Sequence, residues 1–133
     1  MSAIRQPIFC LTLFDIQNIC MQNNISGGLH MHAAVESIRV LCEQNGIPVF
    51  GIGDSSLLER SPEGYRPSDS LPGAKSMVCL GMPVPKGVLQ QNDRSNAVYG
   101  RTANIYYRKM DSVLLQLSCL LETSSASAQP VFG

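Results

Sequence analysis

The chain has 133 residues and carries ten basic and ten acidic side chains, leaving no formal net charge. That balance excludes a polycationic nucleic-acid binder and a chain drawn as a whole to anionic membrane. With 44% hydrophobic residues, the length suits one globular domain that buries roughly two-thirds of the surface exposed by its unfolded chain.

The first elements are the least defined. Arg5 followed by the apolar run from Ile8 to Phe14 has the layout of an export signal. The run is short, however, holds Thr12, and ends at Asp15 with no small-residue cleavage site. It is also far short of the roughly twenty apolar residues that span a bilayer. The expectation is therefore no membrane and a cytoplasmic location, with residues 1–31 an unassigned N-terminal extension and 32–133 the domain proper. Residues 22–31, polar and glycine-bearing, read as the loop between them.

From His32 the pattern turns helical. Ala34, Val35, Ile38, Leu41 and Cys42 fall at the i, i+3, i+4, i+7 positions of an amphipathic helix, and Gly46 stands where such a helix ends. Residues 47–53 are short and apolar and predict a buried strand. Ser56 and Glu59 then have capping-box spacing, which predicts a short helical turn limited by Pro62. Residues 61–75 read as a turn-rich loop, 76–82 as a second buried strand, and 83–96 as loop. From Asn104, the apolar positions Tyr106, Met110, Val113, Leu117 and Leu120 recur at three- and four-residue steps, which predicts a long amphipathic helix. The closing residues from Gln129 look like the start of one more strand, with an unpaired edge that invites aggregation. The fold class expected is mixed α/β (α+β), a small sheet flanked by amphipathic helices.

Candidate chemistry is sparse. Five cysteines (10, 20, 42, 79 and 119) include no C-x-x-C pair, so they read as reduced core or surface residues rather than a disulfide, zinc or iron–sulfur framework. Gly51 and Gly53 form a Gly-x-Gly, but Ser56 occupies the place of the third glycine of a dinucleotide fingerprint. The two glycines therefore read as aids to close packing, and Asp54 as a cap or a ligand. His30 and His32 would point the same way in an extended chain, as two metal ligands must, but no third ligand stands nearby. No metal site is expected. Arg94, Arg101, Arg108 and Lys109 make a modest basic run without an aromatic platform, best read as a solvated helix face. No nucleophile elbow, P-loop or His-Glu-x-x-His occurs, and spacing alone names no catalytic residue.

The segment "PEGYRPSDSLPGAKSMVCLGMPVPKGVL", residues 62–89, resembles the N-terminal region of epoxyqueuosine reductase and its iron–sulfur relatives. Arg66, Pro67, Asp69, Leu71, Pro72, Gly73, Ala74, Lys75 and Ser76 stand in the places of that family's R-P-x-D-x-L-P-G-A-K-S segment. Residues 37–59 are similar to its first helix and strand, residues 99–122 to its long helix, and residues 128–133 to the following strand, so the likeness covers 35–133. The resemblance implies a partial cobalamin-binding domain distantly similar to nitroreductases, coupled to a ferredoxin-like domain or subunit with two [4Fe–4S] clusters. It implies an oxidoreductase acting on a modified tRNA nucleoside. By position it places Met82, Pro83, Tyr99, Gly100 and Tyr106 beside the corrinoid, with Arg66 to Lys75 supporting the wall.

Two departures accompany the likeness. The family's C-x-x-C-x-x-C-x-x-x-C-P run is absent, and Asn104 to Tyr107 stand where the family often carries Gly-x-Asp-Tyr-His. The expectation is a truncated or split protein, inactive alone. The alternatives are a non-catalytic scaffold or interaction module without corrinoid, and a small flavin-binding domain.

Overall fold

The structure, a computed structural model, describes residues 7–14, 27–90, 95–123 and 126–132. In chain order it contains β1 (Pro7–Phe14), α1 (Gly27–Gln44), β2 (Val49–Asp54), a 3-10 turn (Ser55–Leu58), α2 (Pro67–Ser70), β3 (Ser76–Pro83), α3 (Lys86–Leu89), α4 (Ser95–Glu122) and β4 (Ala128–Val131). The strands form one antiparallel sheet in the order β2-β3-β1-β4. Mixed α/β architecture is thus the observed class. Among the described residues no helix is long and apolar enough to cross a membrane.

Strand β3 shows why the sheet has an inside. Val78, Leu80 and Met82, alternate residues on one face, are buried together with Ile38 and Cys42 of α1 and Met110, Val113, Leu114, Leu117 and Leu121 of α4. The period of two on the strand meets the period of 3.6 on the helices, and that match builds a single core. The neighbouring residues Met77 and Cys79 remain half-buried.

The end of α1 follows from Gly46. Its φ of 64° lies in the left-handed region that glycine enters freely. Gly46 N donates to Glu43 O at 3.1 Å and Ile47 N to Cys42 O at 2.8 Å, the paired bonds of a Schellman end. Ile47 then drops into the core, 4% exposed.

Several elements differ from the sequence expectation. The helix predicted from His32 starts at Gly27, so residues 27–31 of the expected loop are helical, and residues 22–26 lie outside the described residues. The long helix begins at Ser95, not Asn104, because Ala103 and Tyr99 carry its apolar stripe about one and two turns upstream of Tyr106. Its buried stripe also takes Leu114 and Leu121, while Leu120 is only half-buried. Short helices Pro67–Ser70 and Lys86–Leu89 interrupt the two predicted loops, each opened by the chain direction that a proline sets. Most unexpected is β1. Part of the segment set apart as an extension lies between β3 and β4, with Pro7 to Phe14 paired to Pro83 to Ser76. The final strand finds its partner there too, Leu11 opposite Val131 and Phe14 opposite Ala128.

Cys42 is buried, Cys79 half-buried and Cys119 exposed, and all three are free thiols. Among these three, iodoacetamide is therefore expected to modify Cys119 first and Cys42 last, read by peptide mass spectrometry. Labelling of Cys42 ahead of Cys119 would contradict the packing. Burial pushes both the Cys42 and Cys79 thiols up. The folded chain consequently holds these protons to higher pH than the unfolded chain does. Their contribution is complete below the unfolded thiol value of about 8.5 and is lost as pH rises above it, so urea midpoints should fall on the alkaline side.

Candidate functional site

The 59–75 segment turns back on itself through a dense set of short hydrogen bonds. The Asp69 carboxylate accepts from Gly64 N at 2.8 Å and Arg66 N at 3.1 Å, closing the first turn of α2 from within. Arg66 Nε donates to Ser61 O at 3.0 Å. Glu59, expected to reach back to Ser56, instead accepts from Ser68 N and Ser68 Oγ. The capping role before the 3-10 turn falls to Asp54, whose Oδ1 accepts from Ser56 N at 2.8 Å. A 3-10 turn starting at Ser55 leaves Ser56 already inside it, so the preceding residue is the one placed to cap. Hydrogen bonds from Ser56, then the Lys75 charge, hold the Asp54 carboxyl below its ordinary value.

The Pro-Gly corner works the same way. Gly73 has φ 82° with open space where a side chain would stand, so the turn there is a backbone requirement. Ala74 O accepts from Ser55 Oγ at 2.8 Å, and Lys75 O from Ser55 N at 3.1 Å, pinning the corner to the end of β2. Ser55 is 2% exposed. These residues hold the loop that delivers the chain into β3.

At the far end of β3 the chain leaves through Met82, Pro83 and Val84 into α3. Met82 and Val84 are buried, so their side chains belong to the core. Pro83 is half-buried, and its carbonyl accepts a hydrogen bond from Tyr106 Oη at 3.1 Å. Tyr99 lies two turns upstream on α4, where residues seven apart share a face, and it packs with Tyr106 and Val88 against the core. Pro83, Val88, Tyr99 and Tyr106 thereby make a half-buried ledge of apolar surface with a hydroxyl at its rim. Gly100 is not part of it. One residue on from Tyr99, it stands about 100° round the helix, with nothing within 4 Å of where its side chain would project. Of the five residues picked from the sequence, Pro83 and Tyr106 are joined by that hydrogen bond, Met82 is buried in the core, Tyr99 packs against the core from α4, and Gly100 stands aside.

Two of the concavities lined by described residues lie elsewhere. One of about 240 Å³ is lined by Arg101, Asn104, Ile105 and Arg108 on α4. The other, about 320 Å³, lies between α1 and α4, with Val40, Leu41 and Leu120 inside and Glu36, Ser37 and Gln44 around them. The other motifs resolve structurally. Gly51 and Gly53 lie within β2 opposite Cys79 and Met77, in a paired strand rather than a phosphate-cradling loop. A side chain at Gly53 would come within 3.1 Å of Met77 Cε, the tip of a flexible side chain on the neighbouring strand. His30 and His32 stand on α1, and residues two apart on a helix do not share a face. Among the described residues no group of three or more His, Cys, Asp or Glu is placed to hold a metal ion. Arg94 lies outside the described residues.

Comparisons of the chain with protein-family models, with curated proteins and with solved structures each return no match.

Proposed function

We propose that this chain is the N-terminal, cobalamin-facing portion of an epoxyqueuosine reductase-like iron–sulfur oxidoreductase, with the partial nitroreductase-like fold that such a role implies. The observation that carries the reading is the Tyr106 hydroxyl on the Pro83 carbonyl. It brings together the two segments, after β3 and along α4, that the family resemblance sets beside a corrinoid. The residues suit such a group in kind, because a broad planar ligand needs apolar surface with a few polar atoms at its edge. Pro83, Val88 and Tyr99 offer half-buried apolar surface of that kind.

When bound, the corrinoid would supply redox chemistry at its cobalt. The chain's own part is to hold the ring and shield it from water. Electrons would arrive from a ferredoxin-like domain or subunit, because the iron–sulfur cysteine run is missing from this sequence. Ile105 stands among the residues that replace the family's acidic segment, so the chain supplies no carboxyl proton donor there. Alone it is expected to turn nothing over, and a modified tRNA becomes a substrate only for the assembled reductase.

The test is retention of hydroxocobalamin through gel filtration. Corrinoid absorbance should travel with the protein and be lost on Val88→Asp, which places a charge on the ledge. Absence of corrinoid from the protein peak would overturn the proposal. A second reading, a non-catalytic interaction module, draws on the self-satisfied hydrogen bonding of Arg66, Ser68 and Asp69 within their own loop. It predicts an unaltered corrinoid-free protein.

A further inference from the structure

We infer that the outward face of α4 is a docking seam for an acidic amphipathic helix of a partner protein. The seam runs through Arg101, Ile105, Arg108, Ser112, Leu115 and Cys119, all exposed. Their steps alternate between four and three residues, the spacing by which helices pack side by side. The opposite side of the same helix carries Met110, Leu114 and Leu117, each 0% exposed, and already supplies the core.

Two features of the seam have no role within the fold. Ile105 is 65% exposed and Leu115 53%. A single exposed aliphatic residue is ordinary, but two on one stripe make a run of apolar contact points. The second feature is charge. On α1, Arg39 is held by Glu36 and Glu43, and its hydrogen bond to Glu36, then the charges of both carboxylates, push its guanidinium further toward the protonated form. Arg101 and Arg108 have no such carboxylate among the described residues. They stand on either side of Ile105, about 10 Å apart along the axis at 1.5 Å per residue. With Asn104 they line the concavity of about 240 Å³.

That arrangement specifies its complement. A partner helix would lay one carboxylate over each guanidinium, two turns apart, with an apolar side chain between them on Ile105. Arginine forks suit this task, since they bind carboxylates in a fixed planar geometry. A nucleic-acid strand could use the same charges, but it stacks its bases on flat aromatic or guanidinium surfaces. Here the residue between the arginines is aliphatic, and the seam continues to Leu115 rather than to further cations.

The experiment is a display selection of helical peptides against the whole chain, with the seam-facing positions randomised among acidic, basic, small and aliphatic residues. Enriched peptides are expected to carry two carboxylates seven residues apart around a leucine-like side chain. They should bind the Arg101→Glu/Arg108→Glu chain at least about tenfold more weakly, because attraction becomes repulsion at both ends. Exchanging the peptide's two acids for lysines should restore binding to that variant. Ile105→Ser should weaken the original peptides several-fold, and thermal melts of all variants should match the parent because the replaced side chains are exposed. The inference is overturned by a selection that enriches no helix, or by enriched helices indifferent to the charge reversal. It is equally overturned by a single-stranded oligonucleotide that binds through Arg101 and Arg108 and ignores Ile105. None of these outcomes depends on whether a corrinoid binds.

Discussion

Leu80→Ala is expected to lower the unfolding free energy by about 3 kcal/mol, within the 2–5 kcal/mol range for truncating a buried leucine. Leu80 is 0% exposed and sits mid-strand in β3, opposite Phe50 of β2 and Cys10 of β1. Helix residues Met110, Leu114 and Leu117 belong to the same buried cluster. Removing three carbons there forfeits their transfer energy and leaves a void that strands fixed on both sides cannot collapse to fill. For a domain whose total stability is of the order of 5–15 kcal/mol, the loss is large. Urea denaturation followed by far-ultraviolet circular dichroism measures it. Leu115→Ala, at a side chain 53% exposed, should shift the midpoint only slightly. Equal effects at the two positions would mean that β3 does not carry the core.

Gly73→Ala is expected to cost about 1–2 kcal/mol, the usual penalty for an L-residue in left-handed backbone. Its φ is 82° and nothing lies within 4 Å of where the added methyl would stand, so steric clash contributes nothing. The penalty is conformational, and it falls on the corner that Ser55 fastens to the end of β2 through Ala74 O and Lys75 O. Gly87 provides the opposite case. It too has open space around it, but it lies in α3 without a positive φ. Alanine there should be neutral or stabilise by up to about 1 kcal/mol. Thermal melts of the two variants, run side by side, separate backbone strain from loss of packing. Destabilisation at Gly87 and none at Gly73 would reverse the assignment.

What could be read from the sequence was local. Gly46 announced the end of α1 because a left-handed cap is set by the residues next to it. The apolar runs at 47–53 and 76–82, bounded by turn residues, point to β2 and β3, and the stripe of α4 is visible as a period from Tyr106 to Leu120, though Leu120 is only half-buried. The beginning of α4 was not, because Gly100 and the polar residues before it mask the contribution of Tyr99 and Ala103. The strand Pro7–Phe14 was hidden for another reason. A short apolar run has no period to distinguish a strand from an export signal, and its identity comes from partners far along the chain. At the site, sequence likeness singled out Pro83 and Tyr106, but the hydrogen bond joining them is a tertiary fact. The seam on α4 was seen as a basic run. Its aliphatic half emerged only when the helix was known to bury the opposite side.

The placement of β1 governs how this molecule can come into being. Leu11 must wait for Val131, more than a hundred positions later, before β4 has a neighbour. Loop-closure entropy of that scale slows folding. During synthesis β1 therefore emerges from the ribosome well before either of its flanking strands, and the nascent segment needs a chaperone or time until they arrive.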